Sequence, residues 1–144
     1  MQSYNPSEVI NGTFGELWID DQYMSEVTKV EAKITLDKQE VHQVGKTAKG
    51  YKVTGADGKG TITLNKVTSY FINLLSDDMK NGRQTSFTII TALKDPNSRG
   101  QERIRLTGCT FDELSLVNWE AKKLCEDQMP FSFTGWDVLD TIAS

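Results

Sequence analysis

Strict alternation of apolar and polar residues runs through most of this chain. Gly15-Glu16-Leu17-Trp18-Ile19 followed by Asp20-Asp21 reads as a short strand and a polar turn that open a hairpin. From Val27 the pattern lengthens: Val30, Ala32, Ile34 and Leu36 fall on one side and Glu31, Lys33, Thr35 and Asp37 on the other. Residues 38–60 break the pattern with Gly45, Gly50, Gly55, Gly58 and Gly60, and read as an over-long polar loop or an extended hairpin. Alternation resumes at 61–67 as a strand after the Asp57-Gly58 turn signal.

One segment changes period. Phe71, Leu74, Leu75 and Met79 form a helical stripe after Thr68-Ser69, whose hydroxyls are suited to capping, and before the stop signal Asn81-Gly82. A helix over 69–81 is expected, with Asp77, Asp78 and Lys80 outside. Beyond it, 85–93 and 102–110 predict two strands joined by the turn at 95–100. Residues 115–119 form a weaker strand candidate and 120–127 fit no pattern. Residues 129–134 predict a last strand with an aromatic face, and Trp136-Asp137-Val138-Leu139-Asp140 a short tail lying on the surface. The chain therefore reads as mainly β with one helix.

Composition narrows the function. The 144 residues amount to one domain, 1–144, and 25% charged residues with 3 prolines suit a globular unit. Sixteen Lys and Arg against 20 Asp and Glu give a net charge of -4, which disfavours a general coat for phosphate backbones. No stretch approaches the roughly 20 apolar residues of a membrane span, and no basic and apolar leader opens the chain, so membrane binding is not expected and a cytoplasmic protein is. Cys109 and Cys125 lack a second ligand pair and are expected to be reduced.

Catalytic motifs fail on inspection. Gly45-Lys46-Thr47 lacks the upstream glycine of a phosphate loop, since Glu40 stands there. Gly55-Ala56-Asp57-Gly58-Lys59-Gly60 opens no helix, so it is not a dinucleotide fingerprint. Asp20-Asp21 and Asp77-Asp78 are sequence neighbours pointing apart, unlike a converging acid and base or a calcium loop. The single histidine, His42, lies in a polar stretch, and Asn11-Gly12-Thr13 reads as a turn. No catalytic residue, cofactor or metal ligand is assigned. Phe87, Phe111, Phe131 and Phe133 occupy core positions, whereas Tyr51, between Gly50 and Lys52 in the polar stretch, points to a partner surface.

Gly50-Tyr51-Lys52-Val53-Thr54-Gly55-Ala56-Asp57-Gly58-Lys59-Gly60 and the following Thr61-Ile62-Thr63-Leu64-Asn65-Lys66-Val67 resemble the central block of the tail tube proteins of contractile phage tails, of the kind found in the PBSX-type defective prophage of Bacillus. Arg99-Gly100-Gln101-Glu102-Arg103 with Thr110-Phe111-Asp112 resembles that family's late hairpin. Pro130-Phe131-Ser132-Phe133 with Trp136-Asp137-Val138 resembles its C-terminal strand and tail. The resemblance implies two packed antiparallel sheets, as a sandwich or rolled barrel, with one flanking helix and a long extended loop. It implies hexameric rings stacked into an inner tube, with sheath, tape-measure, and baseplate or terminator proteins as partners and DNA as passing cargo only. The setting it implies is a phage tail or an R-type bacteriocin, assembled in a bacterial cytoplasm.

Within such a ring, residues 38–60 are expected to contact neighbouring subunits through Tyr51, Lys52 and Val53, and Gly45 to Gly60 to order only on assembly. The lumen is expected to be lined by Glu31, Lys33, Thr35 and Asp37 with Thr61, Thr63 and Asn65, while Ala32, Ile34, Ile62 and Leu64 face the core. The other function class compatible with the residues is a monomeric small-barrel module that clasps a ligand or a single strand of nucleic acid.

Overall fold

The structure is a computed structural model that describes residues 3–143; Met1, Gln2 and Ser144, which the domain assignment included, lie outside the described residues. Eight strands and one helix follow each other as β1 (Gly15–Ile19), β2 (Gln22–Tyr23), β3 (Val27–Val41), β4 (Gly50–Asn65), α1 (Tyr70–Lys80), β5 (Phe87–Leu93), β6 (Glu102–Phe111), β7 (Glu126–Phe133) and β8 (Gly135–Asp140). All pairings are antiparallel and run in the order β2-β1-β5-β6-β7-β4-β3, with β8 added to β6.

The long strand β6 divides this path into two layers. Its first part pairs with β5 and β8, and its end, Thr110 and Phe111, pairs with Ser132 and Phe131 of β7. Gly108, at φ +63° between the two parts, supplies the left-handed residue that such a bend requires. One layer is therefore β2-β1-β5-β6-β8 and the other β3-β4-β7-β6, joined at one flank where β6 crosses.

Between the layers lies an aromatic core. Phe111 stands 5.1 Å from Phe71, 5.6 Å from Phe87 and 6.1 Å from Phe131, which is 6.2 Å from Phe133. Centroid separations in this range suit edge-to-face and tilted aromatic pairs. Leu17, Ile19, Ile62, Leu64, Ile89, Leu106 and Met129 fill the space around the rings. Helix α1 packs Phe71 and Leu75 onto this core, with Leu74 half-buried beside them.

Several sequence expectations change. Of the two readings of 38–60, the extended hairpin holds: β3 and β4 stay paired to Val41↔Gly50, leaving only 42–49 as the connection. Gly58 and Gly60, read as loop glycines, lie under aromatic rings, where a Cβ would come within 2.7 Å of the Phe133 ring and 2.4 Å of the Phe131 ring. The tail at 136–140 is strand β8, hydrogen-bonded along β6. Residues 115–119 form no strand, because side chains replace the ladder: Asn118 donates to the Glu126 carbonyl and Ser115 to the Asp127 carboxylate. Met79 is exposed at the last turn of α1, and the Ser69 hydroxyl makes no capping bond.

Candidate assembly surfaces

The outer face of the β3-β4-β7 layer brings together all seven residues predicted to line a lumen. Register sets Glu31 beside Thr61, Lys33 beside Lys59, Thr35 beside Asp57 and Asp37 beside Gly55. It continues Thr61 to Pro130, Lys59 to Ser132, Thr63 to Gln128 and Asn65 to Glu126. Residues directly opposite one another share a face, so these form one polar surface. Thr63 is nearly covered within it.

Asp57, Lys59, Gln128 and Ser132 belong to the same surface. The first two were missed because their glycine neighbours suggested a loop, although positions 57, 59, 61 and 63 already alternate. The face is knitted by the Lys33 ammonium 2.8 Å from Glu31 and by Lys59, whose Nζ donates to Ser132 Oγ at 3.0 Å. Ser132 in turn donates to Asp112 at 2.9 Å. The hydrogen bond from Lys33 holds the Glu31 carboxyl below its usual pKa and raises that of Lys33. Lys29, Lys33, Lys52 and Lys59 stand against Glu31, Asp37, Asp57 and Glu126, so the wall is hydrophilic and close to neutral.

The opposite face of the hairpin behaves differently along its length. Near the core it carries the buried Ile62 and Leu64 and the half-buried Val30 and Ile34. Ala32, expected in the core, is exposed because β3 is the last strand of its layer and the opposing layer does not reach it. Beyond Gly58↔Phe133 the two strands leave β7 and pair only with each other. Some seven residues at about 3.3 Å each make this projecting arm about 23 Å long.

A bulge in the arm redirects its side chains. Asp37 pairs with Gly55 but Lys38 with Val53, so Thr54 is the extra residue, and its hydroxyl donates to the Asp37 carbonyl at 3.3 Å. Such an insertion shifts the alternation by one. It moves Tyr51 and Val53 off the polar surface and onto the side of Leu36, while Lys52 takes the other side. Leu36 (49% exposed), Val53 (49%) and Tyr51 (64%) thus stand exposed on one side of the arm, with Lys38 opposite Val53 and Glu40 opposite Tyr51. A lone two-stranded ribbon of this kind is marginal in water.

No buried side-chain nitrogen or oxygen lacks a partner among the described residues, and no cluster of metal-ligating side chains occurs among them. The Cys109 thiol is pushed up to about 11 by burial, which keeps it protonated and unreactive, and Cys125 is a half-buried free thiol. His42 is exposed on the 42–49 connection. No helix among the described residues is long and apolar enough to cross a membrane.

The family model described as phage tail tube protein matches residues 2–140. The phage-like element PBSX protein XkdM of Bacillus subtilis (strain 168) is 35% identical over 136 residues, which is 93% of this chain and 92% of that protein. A solved structure of a protein from Bacillus subtilis, 35% identical, superposes with a TM-score of 0.54 over 89% of this chain and 93% of that one. A chain in the sheath-tube complex of the PVC extracellular contractile injection system, in its extended state, shares the fold. It has 13% identity and a TM-score of 0.69 over 96% of this chain and all of that one.

Proposed function

The chain belongs to the phage tail tube protein family, and from that membership we propose that its copies close into hexameric rings that stack into the inner tube of a contractile tail. Membership gives a structural role in a tail tube, within a phage or phage-tail-like particle, and implies no enzymatic one. The polar surface of β3, β4 and β7 lines the channel in this reading. Glu31, Lys33, Thr35, Asp37, Thr61, Thr63 and Asn65 face the lumen, and the arm carries Tyr51, Lys52 and Val53 to the adjacent ring.

One observation carries the reading: a 15-residue strand paired with a 16-residue strand projects the exposed Leu36, Tyr51 and Val53 on one face and a hydrophilic wall on the other. The wall suits a conduit. DNA held by many cationic side chains releases counterions at each contact and binds tightly, whereas a wall whose lysines are matched by carboxylates in every ring lets phosphates pass. DNA or a tape-measure protein is therefore cargo. A sheath outside the tube and a baseplate or terminator at its ends complete the partners; neighbours of the same fold in a sheath-tube complex, a baseplate and a sheath/tube terminator support this. Assembly takes place in the cytoplasm of the bacterial host.

Size-exclusion chromatography and negative-stain microscopy of the purified chain across a concentration series test the proposal. Rings or tubes with a central channel are expected. A 16.2 kDa monomer under every condition would instead favour a small binding module.

A further inference from the structure

The two flanks of the β3-β4-β7 layer are unlike each other. At the flank where β6 crosses, the sandwich is closed. At the other, the layers part beside β3 and leave a groove of about 720 Å³ lined by Val30, Ile34, Ile104 and Trp136, with Leu17 and Leu106 at its floor. Nothing among the described residues fills this groove, although Leu17 and Leu106 are core residues and Val30, Ile34 and Ile104 are half-buried against the core.

The closed flank carries the reverse shape. Strand β7 meets β6 only at Ser132 and Phe131, so its residues 126–129 have no strand beyond them. The irregular segment 113–119 runs there instead, tied on by Asn118 to the Glu126 carbonyl at 3.0 Å and by Ser115 to Asp127 at 3.2 Å. It holds outward Leu116 (61% exposed), Val117 (78%) and Trp119 (75%). Three large apolar side chains side by side in a monomer's surface mark a contact. Any ring closed by a single rotation joins one flank of each copy to the other flank of the next.

Resting on the ring reading above, we infer that Leu116, Val117 and Trp119 of one copy seat in the groove beside β3 of its neighbour. Charge agrees with this pairing. Lys29, on the polar face of β3 at the rim of the groove, and Glu113, which flanks the segment, each lack an ion-pair partner among the described residues. They also stand at the same level of the sheet: Lys29 pairs with Thr63, Thr63 with Gln128, and Gln128 shares a cleft with Glu113. The contact finishes the open side of the core in each copy.

The test is a disulfide placed across the contact in the full chain, Val30→Cys with Val117→Cys, in a Cys125→Ser background that leaves the buried Cys109. Oxidation should give a ladder from dimer up to the ring number on a denaturing non-reducing gel, collapsed by dithiothreitol, with each single variant remaining a monomer. Val117→Asp/Trp119→Asp, at exposed positions, should melt like the parent but form no rings. Lys29→Glu and Glu113→Lys should each weaken assembly, and their combination should restore it. Rings or tubes with no ladder, or tubes from the double aspartate variant, would overturn the contact and leave the ring reading standing. A parent chain that never assembles would overturn both.

Discussion

Gly60→Ala tests which face of β4 looks inward. A methyl group at Gly60 would stand 2.4 Å from Cζ and 2.8 Å from Cε1 of Phe131, and 2.6 Å from the Glu31 carbonyl oxygen. Carbon atoms rest comfortably at about 3.5–4.0 Å, so the ring must retreat by more than an ångström. It has nowhere to go, because Phe131 is fully buried against Phe111 and Phe133. The carbonyl belongs to the paired strand β3, so backbone must move as well. Overpacking of this kind costs about 1–3 kcal/mol, and the double obstruction places Gly60→Ala at the upper end. At about 2–4 °C per kcal/mol for a domain of this size, the melting temperature should fall by roughly 6–12 °C. Gly12→Ala is the control, since a Cβ there meets nothing within 4 Å; it should stay within about 0.5 kcal/mol of the parent. Urea denaturation and a thermal melt read both. A Gly60→Ala variant as stable as Gly12→Ala would refute the packing of Phe131 on Gly60, and with it the assignment of Glu31 and Thr61 to the free face.

Phe71→Ala should cost about 3–5 kcal/mol by chemical denaturation, whereas Met79→Ala, at an exposed position, should cost under about 0.5 kcal/mol; equal costs would contradict the helix register. Tyr51→Ala/Val53→Ala should leave the melting curve nearly unchanged and abolish tube growth in negative stain, while Lys52→Ala retains it; tubes from the double variant would remove the arm from the stacking contact. The hydrogen bond from Arg99 keeps the Glu8 carboxyl below its ordinary value, so its hold on the N-terminal segment is full above about pH 4.3 and is lost as the pH falls through the lowered folded value. Amide exchange at residues 8–14 should therefore accelerate on acidification in the parent and be fast at all pH values in Arg99→Gln; an acid response unchanged by Arg99→Gln would point to another group.

Alternation carried most of the fold into view. β1, the core of β3, the β5–β6 hairpin and the aromatic face of β7 are each legible because one side faces Phe111 and its neighbours and the other faces water. The arm reads as either a loop or an extended hairpin because glycine has two uses: Gly45 does sit in a connection at φ +80°, while Gly58 and Gly60 make room for rings seventy and more residues away in sequence. No local pattern distinguishes these. The bulge at Thr54 is invisible for a similar reason, since it is defined by what stands opposite it, and without it Tyr51 and Val53 fall on the wrong face. β8 looked like a tail because Trp136, Val138 and Leu139 stay largely exposed, its backbone pairing to β6 being the feature that makes it a strand. The polar wall was legible as far as Glu31, Lys33, Thr35, Asp37, Thr61, Thr63 and Asn65, and incomplete at Asp57, Lys59 and Ser132 because it needed the register of three strands.

A helical reconstruction of tubes grown from the purified chain measures the central claim most directly. The account predicts rings of six subunits in which Glu31, Lys33, Asp37 and Thr61 border the channel and Tyr51 and Val53 touch the next ring. A tube in which the β3-β4-β7 face is covered by protein, with another surface lining the channel, would contradict it.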